Sequence, residues 1–316
     1  MNILIVTPAP PGSTHGNRVT ARRWSKVFRD LGHRVQIVTS YSDQGCDALI
    51  ALHARRSAAS IARFHRKFPD APLIVALTGT DLYRDLDTHN STARSLELAT
   101  RIVIFQPHAL TYLPQAERAK ARVIYHAAPT LHSKPHKLKT VFEVCVSGHL
   151  RPVKDPFRAA RAARLLPASS RIRIVHMGAA LTSAMQRQAL NEMTRHSRYR
   201  WLGELSGSAA RRRLARSRLL VVSSKIEGGA NVISEALAAD VPILASRISG
   251  VLGRLGEDYE GYFEVGDTRG LARLLQRAEN DARYYRRLKQ QCRRVATYCS
   301  PARETRSWQQ LLAELS

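Results

Sequence analysis

Acidic side chains are scarce in this chain of 316 residues: 25 Asp and Glu face 50 Lys and Arg, a formal charge of +25. Arginine makes up 41 of the 50 cations, and the surplus is shared evenly. Residues 1–140 hold 20 basic and 9 acidic groups and residues 141–316 hold 30 and 16, which excludes a basic tail. Nucleic acid, anionic membrane and small phosphorylated ligands remain to be weighed as partners. Long apolar runs are also missing, and none approaches the roughly 18 residues needed to cross a bilayer. The opening Met1-Asn-Ile-Leu-Ile-Val-Thr7 lacks a basic leader and is too short in apolar residues for a signal peptide, so it reads as a strand. Cysteine is rare. Cys46, Cys145, Cys292 and Cys299 form no C-x-x-C pair, and the first and second sit in strand-like apolar runs, so free thiols in a reducing cytoplasm are expected. A G-x-G-x-x-G string is absent, which removes the dinucleotide fingerprint.

What is present is an ordinary hydrophobic fraction of 44%, enough to exclude wholesale disorder, in a length that suits about two domains. Short apolar runs alternate with helix-length amphipathic stretches. Strands are expected at Asn2–Thr7, Arg34–Thr39, Cys46–Leu52, Pro72–Thr78, Arg101–Phe105 and Ala121–Tyr125. Val19, Trp24, Val27, Phe28 and Leu31 mark one side of a helix over Asn17–Leu31. A polar, proline-bearing run without apolar period, Ala127–Thr140, reads as a linker. The alternation restarts with strands at Val141–Ser147, Arg171–Met177, Tyr199–Leu202, Leu219–Ser223 and Pro242–Ser246, and ends in two helical stretches broken at Ser300-Pro301. The expected architecture is therefore α/β: two Rossmann-like, doubly wound parallel-sheet domains facing an interdomain cleft.

Three loops could carry chemistry. Pro8–Asn17, with Gly12 and Gly16, is either a plain strand–helix turn or a segment that lets a ligand approach the backbone at a helix start. Ser147–Pro156 holds Gly148, Arg151 and Lys154; it is either a solvated loop or a pair of cations that neutralises a diphosphate leaving group. Glu227–Glu235, EGGANVISE, follows an apolar strand and opens a helix running to Ala239. It places Glu227 on the loop and Glu235 about two turns into the helix, with the N–H groups of Gly229, Ala230, Asn231 and Val232 aimed at a phosphate. Weaker signals read as structural. Asp85-Leu86-Asp87 is expected to be a surface helix turn, and Arg211–Arg213 with Arg216 and Arg218 a solvated helix face. Trp201 suits a core strand as well as a nucleobase site, and His132 and His136 straddle Pro135, which breaks any helix aligning them.

The order of these motifs resembles the retaining family 4 glycosyltransferases of GT-B fold. Gly16 with its neighbours, Gly148/Arg151/Lys154, and Glu227/Glu235 as an E-x7-E pair match that pattern along the whole chain. The strings GNRVTARRW (16–24), IALHARRSAASIARFH (50–65), LTGTDLYRDL (77–86) and KARVIYHAAP (120–129) resemble, more narrowly, the selenosugar synthases of selenoneine biosynthesis. The resemblance implies an acceptor-side domain over 1–128, a linker at 129–140 and a nucleotide-sugar domain over 141–300, with helix 301–316 packing back on the first. It implies that Lys154, Arg151 and Glu227 act in catalysis, the two cations on the diphosphate and Glu227 on the hexose hydroxyls. Gly16, Gly148, Gly228, Gly229, Ala230, Asn231, Val232 and Glu235 would bind the nucleotide sugar, Glu235 through the ribose. Thr78-Gly79-Thr80-Asp81 stands where many family 4 enzymes carry a histidine-containing segment, and Arg18 replaces an expected aromatic residue.

The resulting expectation is transfer of N-acetylglucosamine or glucose from its UDP-sugar to the selenium of selenophosphate, giving a 1-selenosugar, UDP and phosphate. No metal and no cofactor beyond the UDP-sugar co-substrate is expected, and a selenophosphate synthetase would be a functional partner. An alcohol acceptor profits from a base that takes its proton, whereas a selenophosphate anion needs only anion recognition. Asn17, Thr20, Thr78, Thr80 and the N–H groups around Gly79 could supply neutral donors, and Arg22 or Arg84 charge. Asp81 is either an acceptor-side residue or a helix N-cap. Two alternatives stand beside this. A family 4 enzyme with a lipid, lipopolysaccharide or small alcohol acceptor would want an aromatic-anchored amphipathic helix. A nucleic-acid-binding protein would leave the carboxylates Glu227 and Glu235 unexplained, so neither nucleic acid nor integral membrane contact is expected.

Overall fold

The computed structural model describes residues 1–131 and 135–315, so His132 of the spaced histidine pair lies outside the described residues. The chain divides into two compact units. The first comprises Met1–His126, Glu227–Ala230 and Pro301–Ser316, and the second Ala127–Ile226 and Asn231–Ser300.

The first unit is built on strands β1 (Asn2–Val6), β2 (Arg34–Val38), β3 (Ala48–Leu52), β4 (Leu73–Ala76), β5 (Arg101–Ile104) and β6 (Ala121–Val123). They pair in parallel in the order β2-β1-β3-β4-β5-β6. Its helices are α1 (Gly16–Asp30), α2 (Ala58–Lys67), α3 (Thr80–Tyr83), α4 (Asn90–Leu98) and α5 (Gln115–Arg118). Side chains alternate across the sheet with the strand period of two. Leu4, Leu49, Leu73, Val75 and Ile102 pack with Ile61 and Phe64 of α2 and Leu96 of α4. Ile3, Ile5, Ile50, Ile74 and Val103 point the other way, against Trp24 and Phe28 of α1.

The second unit holds β7 (Phe142–Ser147), β8 (Ile172–Met177), β9 (Tyr199–Trp201), β10 (Leu219–Val222), β11 (Ile243–Ser246) and β12 (Tyr262–Phe263), in the order β12-β11-β10-β7-β8-β9 and again all parallel. Its helices are α6 (Arg158–Ala163), α7 (Ser183–Arg195), α8 (Gly207–Arg216), α9 (Asn231–Ala238), α10 (Ser249–Leu255), α11 (Thr268–Asn280) and α12 (Ala282–Ala296). Both units are thus doubly wound α/β sheets, as the alternation of runs implies. β12 escapes the sequence pattern because two residues carry no period. Cys46 is a correction: β3 begins at Ala48, so this half-buried thiol precedes the strand. Among the described residues no helix is long and apolar enough to cross a membrane.

A short 3-10 turn, Thr297–Cys299, ends α12, and Pro301 starts α13 (Pro301–Ala313) at the position where a missing N–H costs nothing. This helix belongs to the first unit. Its Trp308, wholly buried, meets the rings of Trp24 and Phe28 edge-on at 4.7 and 4.8 Å. Glu304, buried beside it, accepts the Trp24 indole N–H at 3.0 Å and pairs with Arg23 at 2.9 Å. Truncating such a ring leaves a cavity costing about 3–5 kcal/mol. Trp308→Ala should therefore lower the urea midpoint by that equivalent, and an unchanged midpoint would show α13 to be dispensable.

Candidate active site

In the second sheet the chain leaves β7 towards β8 on one side, then returns to β10 on the other and continues to β11. Ligands of such sheets bind outside the carboxyl ends of the strands at this reversal. The two loops that flank it are the one after β7, with Gly148, Arg151 and Lys154, and the one after β10. They are stitched together: the Ser223 hydroxyl donates to the carbonyl of Asp155 at 2.9 Å, and the Lys225 amide donates to the carbonyl of Val153 at 2.8 Å. Asp155 adopts a left-handed conformation with φ +43° and binds Arg158 Nε at 2.7 Å, which turns the chain from the loop into α6.

The Gly148 turn is held from beneath. His176, 1% exposed on β8, has its Nε2 3.1 Å from the Gly148 carbonyl and its Nδ1 2.9 Å from the Tyr199 hydroxyl. A carbonyl only accepts, so Nε2 carries the proton and Nδ1 accepts from the tyrosine. Burial holds the imidazole neutral, lowering its pKa to about 4. A Cβ on Gly178 would overlap the Gly148 carbonyl, and Trp201 fixes Gly178 by donating to its carbonyl at 2.8 Å. Trp201 is thus half-buried and tied into this support. A Cβ on Gly148 itself would meet open space. Arg151, half-buried, forms no ion pair or hydrogen bond with its side chain among the described residues. Lys154 has a partner within the molecule.

α9 starts at Asn231, so Glu235 stands little more than one turn into it rather than two, and its first turn holds no acidic residue. Asn231, Val232 and Glu235 are partly exposed on this helix, in the second unit. Glu227, Gly228, Gly229 and Ala230 are buried and pack with the first. There Gly228 lies against the backbone after β4: a Cβ on it would sit 2.5 Å from the Thr78 carbonyl oxygen, and one on Gly79 would sit 2.8 Å from the Gly228 nitrogen. Gly79 also has φ +132°, a conformation that favours glycine. Gly229 abuts the Phe105 side chain. The structure thus brings Thr78 and Gly79 together with Gly228 and leaves Glu227 and Glu235 in separate units.

Asp81 is a correction to both sequence readings. It is no N-cap, because α3 begins one residue earlier, and it is no surface ligand, because it is wholly buried. One carboxylate oxygen accepts from the Thr78 amide at 2.8 Å, the Thr78 hydroxyl at 3.2 Å and the Gly79 amide at 2.8 Å. The other accepts from the Ala54 amide at 3.0 Å. The N–H groups expected to greet an acceptor around Gly79 are therefore spent inside the protein. Asp85 is a second correction: it is 1% exposed and paired with Arg84 and Arg55, so it is no surface turn and Arg84 is committed. Arg213 likewise leaves its solvated face to bind buried Glu143.

Sequence reasoning missed His53. It follows β3, is buried, and holds φ +73°, uncommon for a residue with a Cβ. Its Nε2 lies 3.1 Å from Thr80 Oγ, and its Nδ1 lies 3.4 Å from the Arg56 amide and 3.8 Å from Asp81 Oδ2. Burial lowers the pKa of this ring as well. Gly16, Asn17 and Thr20 lie on the first turns of α1, with Thr20 buried. No signal in the linear pattern could reveal His53, since its neighbours come from β4 and α3.

The model of the glycosyl transferases group 1 matches residues 128–295, just over half of the sequence. The chain belongs to that family. It is therefore a glycosyltransferase, and its fold is GT-B. Among solved structures it is similar to Anabaena HepE in complex with UDP and glucose, with 16% identity, 99% of this chain and 100% of that one covered, and a TM-score of 0.81. Sucrose-phosphate synthase from Thermosynechococcus elongatus gives 14% identity, 99% and 98% coverage and a TM-score of 0.81. Among curated proteins, none matches the sequence significantly.

The support beneath Gly148 makes a pH prediction for this glycosyltransferase. His176 has a folded pKa below its ordinary 6.5, so the unfolded chain takes up the proton first. Its stabilisation is complete above that value and falls away as pH drops towards about 4, by on the order of 3 kcal/mol. His176→Gln removes this loss. Urea unfolding of both proteins should show a stability gap at neutral pH that narrows in acid, and a pH-independent gap would refute the neutral, buried histidine.

Proposed function

We propose that this glycosyltransferase is a selenosugar synthase, moving a hexosyl group from UDP-N-acetylglucosamine or UDP-glucose to the selenium of selenophosphate. Family membership and the LTGTDLYRDL string support the reading, as do the solved complexes of HepE with UDP and glucose and with UDP-glucose. The observation that carries the acceptor assignment is the state of Asp81. Buried and filled by four donors, it is no base for an alcohol, and neighbouring His53 is itself buried between Thr80 and Asp81. An acceptor that is already an anion needs neither.

In this mechanism the bond between the anomeric carbon and the β-phosphate oxygen breaks while selenium forms the new bond to that carbon. Charge gathers on the departing diphosphate. Arg151, Lys154 and the amides opening α9 stabilise it, so cations of the chain serve in place of a metal. Glu235 holds the ribose, Glu227 the hexose hydroxyls, and Gly16, Gly148, Gly228, Gly229 and Ala230 allow close approach. Water then takes the phosphoryl group from selenium, leaving the 1-selenosugar and phosphate. A selenophosphate synthetase would supply the acceptor. The four free thiols suit a cytoplasmic setting.

Purified protein given UDP-N-acetylglucosamine or UDP-glucose with selenophosphate should release UDP and a selenium-bearing sugar by mass spectrometry, its anomeric form read by proton NMR. UDP release indifferent to selenophosphate sinks the acceptor. Lys154→Ala should lower kcat by about 10²–10³-fold, the usual toll of losing one charge-stabilising donor; full turnover would strip it of that role. Glu235→Ala should instead weaken UDP binding in calorimetry.

A further inference from the structure

Several donors that an acceptor anion could meet at the carboxyl edge of the first sheet are spent inside the protein. The Thr78 amide, the Thr78 hydroxyl and the Gly79 amide all give their hydrogens to one oxygen of Asp81. The Thr80 hydroxyl faces a histidine instead, with His53 Nε2 standing 3.1 Å from its oxygen. Thr80 is only half-buried, whereas His53 is 3% exposed. His53 is braced along its length. Its amide donates to the Ala76 carbonyl at 2.9 Å, its carbonyl accepts from the Ser57 amide at 3.0 Å, and its Nδ1 lies 3.4 Å from the Arg56 amide. This bracing maintains φ +73°, a costly conformation for a residue with a Cβ. Such costs persist where the surroundings over-determine them, and they cluster at functional sites.

We propose that His53 is a positioning residue: its Nε2–H donates to Thr80 Oγ and so turns the Thr80 hydroxyl hydrogen towards the acceptor anion. Two distances place the ring's proton. Nδ1 faces the Arg56 amide, which can only donate, and it stands 3.8 Å from Asp81 Oδ2, beyond hydrogen-bond length. The Asp81 carboxylate is already supplied by four other donors. Burial disfavours a second proton on the ring. A hydroxyl has one hydrogen and two lone pairs, so a donor placed on a lone pair leaves the hydrogen for another partner. An anion accepts that hydrogen, and a hydroxyl presenting only lone pairs repels it. The location is one where ligands bind. In the first sheet the chain runs from β1 to β2 on one side and to β3 on the other, so the reversal lies between β1 and β3, and His53 is the first residue after β3. A hydroxyl held before the anion arrives needs no reorganisation when it binds. This role deepens the acceptor reading and rests on it for the identity of the anion, selenophosphate.

In the full-length protein labelled at the histidine nitrogens, NMR at neutral pH should find His53 with its single proton on Nε2, the signal being assigned by its loss in His53→Asn. A proton on Nδ1, or on both nitrogens, overturns the proposal. Initial rates with saturating UDP-N-acetylglucosamine and varied selenophosphate give the second readout. Thr80→Val keeps the shape and loses the hydroxyl, so it should raise KM for selenophosphate about tenfold with kcat nearly unchanged, the effect of one lost hydrogen bond. Asparagine tolerates the left-handed backbone but is too short to reach Thr80, so His53→Asn should do the same. The two losses should not multiply, and the double variant should match Thr80→Val alone. A rise of about a hundredfold in the double variant, the product of two independent tenfold losses, overturns the role. Weaker UDP binding by His53→Asn in calorimetry does so too, because it marks His53 as merely structural. If the wild type leaves selenophosphate untouched, the acceptor reading falls by itself, and the position of the ring proton still upholds or overturns the way His53 holds Thr80.

Discussion

One buried carboxylate organises the carboxyl edge of the first sheet. Burying an unpaired carboxylate would be prohibitive, so Asp81 must be met by donors, and it is met by four from three residues. Those donors come from the chain after β3 and the chain after β4, which are thereby locked to each other. The rest follows. Ala54 can reach Asp81 only if the backbone turns sharply at the end of β3, and His53 takes that turn at positive φ. The same turn seats the imidazole against Thr80. Gly79, drawn in by its amide, lies close enough to Gly228 that neither position has room for a side chain.

This gives glycine two distinct uses in the molecule. At Gly228, Gly229 and Gly178 a Cβ would strike neighbouring atoms of the protein, so the requirement is packing. At Gly148 a Cβ would meet nothing, so packing does not explain it, and the reason for glycine is its backbone, at φ +159°. The support beneath that turn is correspondingly rigid. A neutral histidine, a tyrosine and a tryptophan converge on Gly148 and Gly178 from β8 and β9. Loops that must hold a charged ligand in a fixed position benefit from donors and acceptors whose own partners are already settled.

Much of this architecture is legible in the linear pattern, and what is not has a physical cause. Strands buried on both faces, such as Leu219–Val222, announce themselves as apolar runs, and the loops after β7 and β10 are where the glycine, arginine and lysine motifs fall. Asp81 and Asp85 look like polar turn residues because a sequence shows their polarity and hides their partners, Ala54 and Arg55, which lie some thirty positions upstream. His53 is invisible for the same reason. The spacing of Glu227 and Glu235 is plain, yet only packing reveals that they belong to different units.

The excess of arginine takes on a different meaning once its partners are named. Arg198 donates to the carbonyls of Ala163, the last residue of α6, and of Leu166 and Pro167 beyond it, Arg101 and Arg122 converge on Glu314, and Arg213 neutralises buried Glu143. These are internal struts, in which the planar guanidinium with its five N–H donors spans several acceptors at once. A surface that bound nucleic acid would instead keep its cations available for phosphates along a face. Many of the surplus cations are therefore spent on the fold itself. Arg151, on the loop after β7 beside the reversal of the second sheet, is one guanidinium with no side-chain hydrogen bond or ion pair among the described residues.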